Sequence, residues 1–225
     1  FSAMVRSAGL VFIGSSDDAI RVMGNKSQAR KLAEDHNVPV IAGVTGHPSE
    51  MEAAALSLGF PLLVKAAAGG GGKGMRIVQS EKQLKETLDA VSREALSYFG
   101  NGEIYLERYL ENPRHIEIQL LADHHGQTLC LFERECSVQR RYQKIIEEAP
   151  APFISDTLRQ NLMQSAKRLA QAISYSNAGT IEFLVSGEAF YFLEMNTRIQ
   201  VEHPVAEKMT GLDIVEQQVL ISMNK

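Results

Sequence analysis

Pro61-Leu62-Leu63-Val64-Lys65-Ala66-Ala67-Ala68-Gly69-Gly70-Gly71-Gly72-Lys73-Gly74-Met75-Arg76-Ile77-Val78-Gln79 is the stretch on which the fold turns. Its apolar start, Pro61 to Ala67, predicts a buried strand, and Met75 to Gln79 a second one. Gly69, Gly71 and Gly74 fit G-x-G-x-x-G, but a dinucleotide-binding turn must open a helix, and here a strand follows. A Walker A loop needs Lys after its second Gly, where Met75 stands. A kinase-type cover places its Lys after the loop, whereas Lys65 precedes it. What remains is a strand–glycine loop–strand flap. Its backbone N–H groups can approach phosphate oxygens closely, with Lys65 and Lys73 adding point charge. The alternative is a surface hairpin.

Working outward, Gly24 to Asn37 predicts a helix and Leu10 to Ile13 a strand. Ser49 with Glu52, and Ser80 with Gln83, have capping-box spacing. The helices they open are expected to end at Gly59 and Gly100. Leu84, Leu88, Val91 and Ala95 supply the apolar stripe of the second helix. Downstream the chain turns richer in strands: Ile104 to Tyr109, then Ile116, Ile118 and Leu120 alternating with Glu117 and Gln119 as in a half-exposed strand, then Leu129 to Glu135 and Tyr142 to Glu148. Leu158, Leu162, Ala166, Leu169 and Ile173 mark an amphipathic helix, Thr180 to Met195 a hairpin, and Leu212 to Ser222 a last helix. The expected class is α+β, with a small lid over 41–109, a larger antiparallel block over 110–225, and 1–40 closing a preceding domain.

The hairpin carries the second chemical signal. Glu182 and Glu194 interrupt otherwise apolar strands, and a carboxylate there is costly unless paired or bound to a cation. A three-residue turn, Gly187-Glu188-Ala189, would set the two acids opposite each other. Carboxylates that close repel unless a cation or proton lies between them. Asn196 is on the same face, and hard oxygen donors point to Mg²⁺ or Mn²⁺ shared with nucleotide phosphates. Lysine salt bridges are the alternative. If the chain stays extended, Glu194, Asn196, Arg198, Gln200 and Glu202 line one side. Arg140, Arg141 and Lys144 form a basic cluster suited to a small anion or to solvent. A net charge of -4 gives no indication of a nucleic-acid or anionic-membrane surface. No apolar run is long enough to span a bilayer. Cys130 and Cys136 are too few for a disulfide framework and read as buried thiols.

Phe12-Ile13-Gly14, Met23-Gly24-Asn25-Lys26, Glu111-Asn112-Pro113-Arg114-His115, Glu133-Arg134-Glu135-Cys136-Ser137-Val138-Gln139-Arg140-Arg141 and Glu194-Met195-Asn196-Thr197-Arg198-Ile199-Gln200-Val201-Glu202-His203-Pro204, with Lys65 and the glycine loop, resemble the biotin carboxylase component of acyl-CoA, pyruvate and urea carboxylases. The resemblance implies an ATP-grasp fold. It also implies biotin carboxylation from ATP and bicarbonate through carboxyphosphate. It assigns Lys26, Lys65, Gly70, Gly71, Gly72, Met75, Glu107, His115 and Gln139 to ATP, and Leu110, Leu184 and Leu193 to its base. Glu182, Glu194 and Asn196 would face magnesium or manganese. Lys144, Arg198, Gln200 and Val201 would hold bicarbonate, with Glu202 as general base. Tyr142 departs from a His common in the family, which touches one ribose contact. The implied partners are biotin on a carrier domain and a carboxyltransferase component, in a homo-oligomeric parent in the cytoplasm, or in the mitochondrial matrix of a eukaryote. The chain is expected to be a fragment, without turnover when isolated. A carbamoyl-phosphate-synthetase-like domain is the other enzyme reading.

Overall fold

The computed structural model describes residues 1–67, 75–141 and 143–224. The glycine loop 69–74 and Tyr142, on which two expectations rest, lie outside the described residues. The chain divides into two compact units. One comprises Phe1–Val40, Asn112–Gln139 and Lys144–Lys225; the other comprises Ile41–Glu111 with Arg140–Gln143.

The first unit opens with helices α1 (Ser2–Ser7), α2 (Asp17–Gly24) and α3 (Lys26–Asp35). One expectation fails here, and α2 is a helix that the sequence reading does not anticipate. Residues 10–13 are irregular rather than a strand, whereas the helix expected from Gly24 to Asn37 forms as α3, with α2 directly before it. Asn25 has extended backbone, and its side-chain oxygen accepts the Gln28 N–H at 3.0 Å, so it ends α2 and caps α3.

The second unit follows with β1 (Gly43–Gly46), α4 (Met51–Leu58), β2 (Leu62–Ala66), β3 (Arg76–Val78), α5 (Glu81–Phe99) and β4 (Ile104–Arg108). Its antiparallel sheet has the order β1-β4-β2-β3. Leu62, Val64, Val78, Ile104 and Leu106 pack with Leu84, Leu88 and Val91 of α5 and Met51 and Ala55 of α4. Each fully buried Leu or Ile contributes about 1.5–3 kcal/mol. Gly100 ends α5 with φ 71°, a left-handed position that costs glycine nothing. Neither capping box closes. Ser49 bonds His47 instead of the helix, and of the second box only Gln83 engages, accepting from the Gln79 N–H at 3.1 Å.

The chain then returns to the first unit with β5 (Arg114–Ala122), β6 (Thr128–Arg140), β7 (Gln143–Glu148), α6 (Asp156–Ala172), β8 (Asn177–Ser186), β9 (Ala189–Asn196), α7 (His203–Thr210) and α8 (Ile214–Ser222). The sheet order is β7-β6-β5-β8-β9. Ile116, Ile118, Leu120, Ile181 and Phe183 face a core built with Leu158, Leu162, Ala166 and Leu169 of α6. At one end of the opposite face, Leu121 and Ala178 pack with Ala206 of α7 and Ile214 and Ile221 of α8. The rest of that face is polar and buried. Glu117 and Gln119, expected to be half-exposed, are 0% exposed. No helix among the described residues is long and apolar enough to cross a membrane.

Candidate active site

Antiparallel pairing sets residues directly opposite each other on one face. Arg134 of β6 pairs with Glu117 of β5, Glu117 with Glu182 of β8, and Glu182 with Glu194 of β9. One row across four strands therefore carries a cation and three acids. The neighbouring row is Gln119, Thr180 and Asn196.

The Glu182–Glu194 pairing arises differently from the three-residue turn expected. Ser186 pairs with Ala189, so Gly187 and Glu188 form a two-residue turn, with Gly187 at φ 59°. Continued regularly, that turn would set Glu182 opposite Leu193. A bulge between Phe192 and Glu194 takes up Leu193 and restores the acid pair.

β7 sends Lys144 into this face. Its ammonium donates to Glu117, to Glu182 at 2.9 Å and to Glu202 at 2.5 Å. An ammonium has three N–H donors, and three carboxylates take them. Glu182 Oε1 also accepts Asn196 Nδ2 at 2.9 Å and Gln200 Nε2 at 2.8 Å. His115 Nε2 lies 2.9 Å from Glu182 Oε2, a close contact whose direction is not that of a hydrogen bond. Gln139 Nε2 is 3.2 Å from the other nitrogen of that ring and donates to the Cys136 carbonyl at 2.7 Å.

The charges tune one another. Burial opposes ionisation of Glu182, but the His115 ring and Lys144 outweigh it and hold the carboxyl at about 2. Burial likewise opposes ionisation of Glu202, and the Lys144 bond overrides it, so its pKa is lowered. Desolvation would discharge Lys144, yet Glu117 and Glu182 push its pKa up. Cys136 is buried beside this cluster and free, and burial pushes its thiol up. Cys130 is also free and is pushed up to about 11 by burial.

Arg134 is the residue that sequence reading missed. It is fully buried and donates through Nε to Glu117 and through Nη1 to Gln119, both at 2.7 Å. Its Nη2 reaches Thr180 Oγ1 at 3.4 Å and Gln200 Oε1 at 3.3 Å. Within Glu133-Arg134-Glu135 it looked like part of a solvated charge run. The available signal was its alternation with Glu133 and Glu135, which sit on the opposite face and bond Arg159 and Arg114.

Several expected residues take other positions. The extended run after Glu194 stops at Asn196, and the chain bends through 197–202 into α7. Polar alternation could not see that bend. Gln200 still reaches the row, whereas Arg198 is exposed and bonds Asn196 Oδ1 at 3.2 Å, and Val201 is 92% exposed. Leu193 is exposed and Leu184 half-buried; Lys26 is exposed at the start of α3. Arg140 and Arg141 are exposed, so of the basic cluster Lys144 alone enters the acidic face. In the second unit, Lys65 Nζ donates to Glu107 Oε1 at 2.7 Å and lies 4.8 Å from the centre of the Tyr105 ring. Leu110 and Met75 of that unit are half-buried.

Arg134 and Lys144 oppose four acids: Glu117, Glu182, Glu194 and Glu202. That excess of hard carboxylate oxygen fits a divalent cation such as Mg²⁺. Among the His, Cys, Asp and Glu side chains of the described residues, the group whose ligand atoms already lie within 4.8 Å of one another is His115, Glu117 and Glu182. Only Glu182 is shared with the expected set of Glu182, Glu194 and Asn196.

Residues 25–225 match the family model described as carbamoyl-phosphate synthase L chain, ATP binding domain. Biotin carboxylase 2 of Bacillus subtilis is 53% identical over 99% of the chain and 51% of its own length. The biotin carboxylase of Campylobacter jejuni in a β-γ-ATP complex superposes with a TM-score of 0.91 at 42% identity, covering 100% of this chain and 51% of that one. The biotin carboxylase domain of Hydrogenobacter thermophilus 2-oxoglutarate carboxylase, with MgADP, ADP and bicarbonate, gives 0.89 at 39% identity, covering 100% and 50%. The chain spans about half the length of these relatives. The two antiparallel α+β units are those of the ATP-grasp fold seen in these neighbours. By a match that runs over most of its length, and by its likeness to biotin carboxylases, the chain belongs to the family of carbamoyl-phosphate synthase L chain ATP-binding domains.

Proposed function

We propose that this chain supplies the Mg-ATP and bicarbonate site of a biotin carboxylase, which carboxylates biotin through carboxyphosphate. The observation that carries the reading is the convergence of Lys144, Glu182, Gln200 and Glu202 on one row of buried charge. Phosphoryl transfer to bicarbonate needs charge neutralisation and alignment more than covalent help. Lys144, Gln200, Arg198 and Val201 hold bicarbonate, and Glu202 takes its proton. Lys144 must exchange one of its three carboxylates to do so. Glu202 is kept ionised by that same ammonium, and so gains basicity as Lys144 turns to the anion. Glu182, Glu194 and Asn196 would hold Mg²⁺ or Mn²⁺, which neutralises phosphate charge when bound. Lys26, Lys65, Glu107, His115, Gln139 and the glycine loop are assigned to ATP, with Leu110, Leu184 and Leu193 at its base. Biotin on a carrier domain, a carboxyltransferase component and assembly as a homo-oligomer complete the reading. It places the protein in the cytoplasm, or in the mitochondrial matrix of a eukaryote.

The test is ATP hydrolysis by the full-length protein carrying this sequence. Hydrolysis should require bicarbonate, rise with free biotin and transfer labelled bicarbonate carbon to biotin. Bicarbonate-dependent hydrolysis that ignores biotin and yields carbamoyl phosphate with ammonia would overturn the reading.

A further inference from the structure

We propose that Arg134 is a positioning residue that decides which end of the Gln200 amide faces the site. The argument starts from donor inventory. A guanidinium only donates, an ionised carboxylate only accepts, and a glutamine amide has one end of each kind. Gln200 lies between the two, with Oε1 3.3 Å from Arg134 Nη2 and Nε2 2.8 Å from Glu182 Oε1. Flipping the amide would set its NH₂ against the guanidinium and its carbonyl against the carboxylate. Both contacts would become repulsive, so the amide has one orientation.

Arg134 can impose that orientation because it is itself fixed. Its remaining donors go to Glu117, Gln119 and Thr180, on β5 and β8, and the side chain is fully buried. The consequence is polarity: Gln200 offers N–H to the site, as an anion requires, and keeps its carbonyl away. A lysine would keep the charge but could not fork to four acceptors. The inference rests on the proposed bicarbonate role of Gln200.

The experiment compares wild type with Arg134→Lys in the full-length protein. The KM for bicarbonate should rise about tenfold, the effect of one misdirected buried hydrogen bond, while the KM for ATP stays within about twofold. In wild type, side-chain amide NMR with glutamine labelling should show slow-exchanging Gln200 protons, assigned through their loss in Gln200→Glu. In Arg134→Lys that protection should fall. An unchanged bicarbonate KM would overturn the proposal. So would both KM values rising together with a lowered melting temperature, the pattern of general loosening. If Arg134→Lys does not fold, wild-type Gln200 protons exchanging as fast as exposed glutamines would overturn it. A wild type without bicarbonate-dependent ATP use would sink the functional reading, leaving amide protection to decide the orientation.

Discussion

The two sheets differ in how fully they enclose charge. In the second unit β2 alternates as a half-buried strand should: Leu62, Val64 and Ala66 are buried, while Lys65 on the other face is partly exposed and paired with Glu107. In the first unit β5 alternates just as regularly in sequence, yet both faces are buried. Its polar face is closed by Arg134 from β6, Lys144 from β7 and Glu182 from β8. One alternating pattern thus supports two outcomes, decided by how much counter-charge neighbouring strands bring: β6 and β7 supply Arg134 and Lys144 to Glu117 of β5, whereas β4 supplies Glu107 to Lys65. Where counter-charge closes over the whole face, the polar residues are buried together; where a single pair forms, the lysine still meets solvent.

The sharpest test of that contrast is kinetic. Glu202→Gln in the full-length protein should lower kcat by about 10²–10⁴-fold, the worth of a general base, with ATP affinity nearly unchanged. Lys65→Gln should instead weaken ATP binding. Steady-state titrations of both variants separate them, and full kcat in Glu202→Gln would end the base assignment. Stability gives the next largest effect. Arg134→Met removes one of the two cations that hold buried Glu117, leaving Lys144 alone, and strips Gln119 of its donor, so it should cost roughly 3 kcal/mol in urea unfolding. Adding Glu117→Leu should recover much of it. Lys65→Met, at a pair whose lysine reaches solvent, should cost at most about 1 kcal/mol.

Cation affinity comes third. Mn²⁺ titration followed by electron paramagnetic resonance should weaken about 10–100-fold in Glu182→Gln. Glu194→Gln and Glu117→Gln then discriminate the expected ligand set from the group whose ligand atoms already lie close together. The smallest effect is acid sensitivity. Glu182 is depressed from 4.5 to about 2, so its contribution is full above about 4.5 and is lost as pH falls toward about 2. Tyrosine fluorescence and far-UV melts across that window should show the first unit softening before the second.

Much of this was legible beforehand because it rests on local rules. The α5 stripe, its stop at Gly100 and the hairpin follow from apolar spacing and one glycine. The Glu182–Glu194 pair was anticipated through a turn one residue too long, and the bulge at Leu193 made up the difference. Alternation cannot register a bulge. Other misses were tertiary. Arg134 looks solvated until Glu117, Gln119 and Gln200 are brought round it from β5 and the bend before α7. Helix α2 went unread because it has only 8 residues and buries just Ala19 and Met23, although Ser16 caps it by accepting the Ala19 N–H.

The Leu193 bulge also bears on how such a hairpin tolerates change in length. Turn and bulge together fix the register, so one residue gained at the Gly187–Glu188 tip can be offset by one lost at position 193. Insertions and deletions between residues 186 and 194 should therefore be found in compensating pairs among related sequences. A one-residue lengthening of the tip alone should shift every pairing beyond it and separate Glu182 from Glu194.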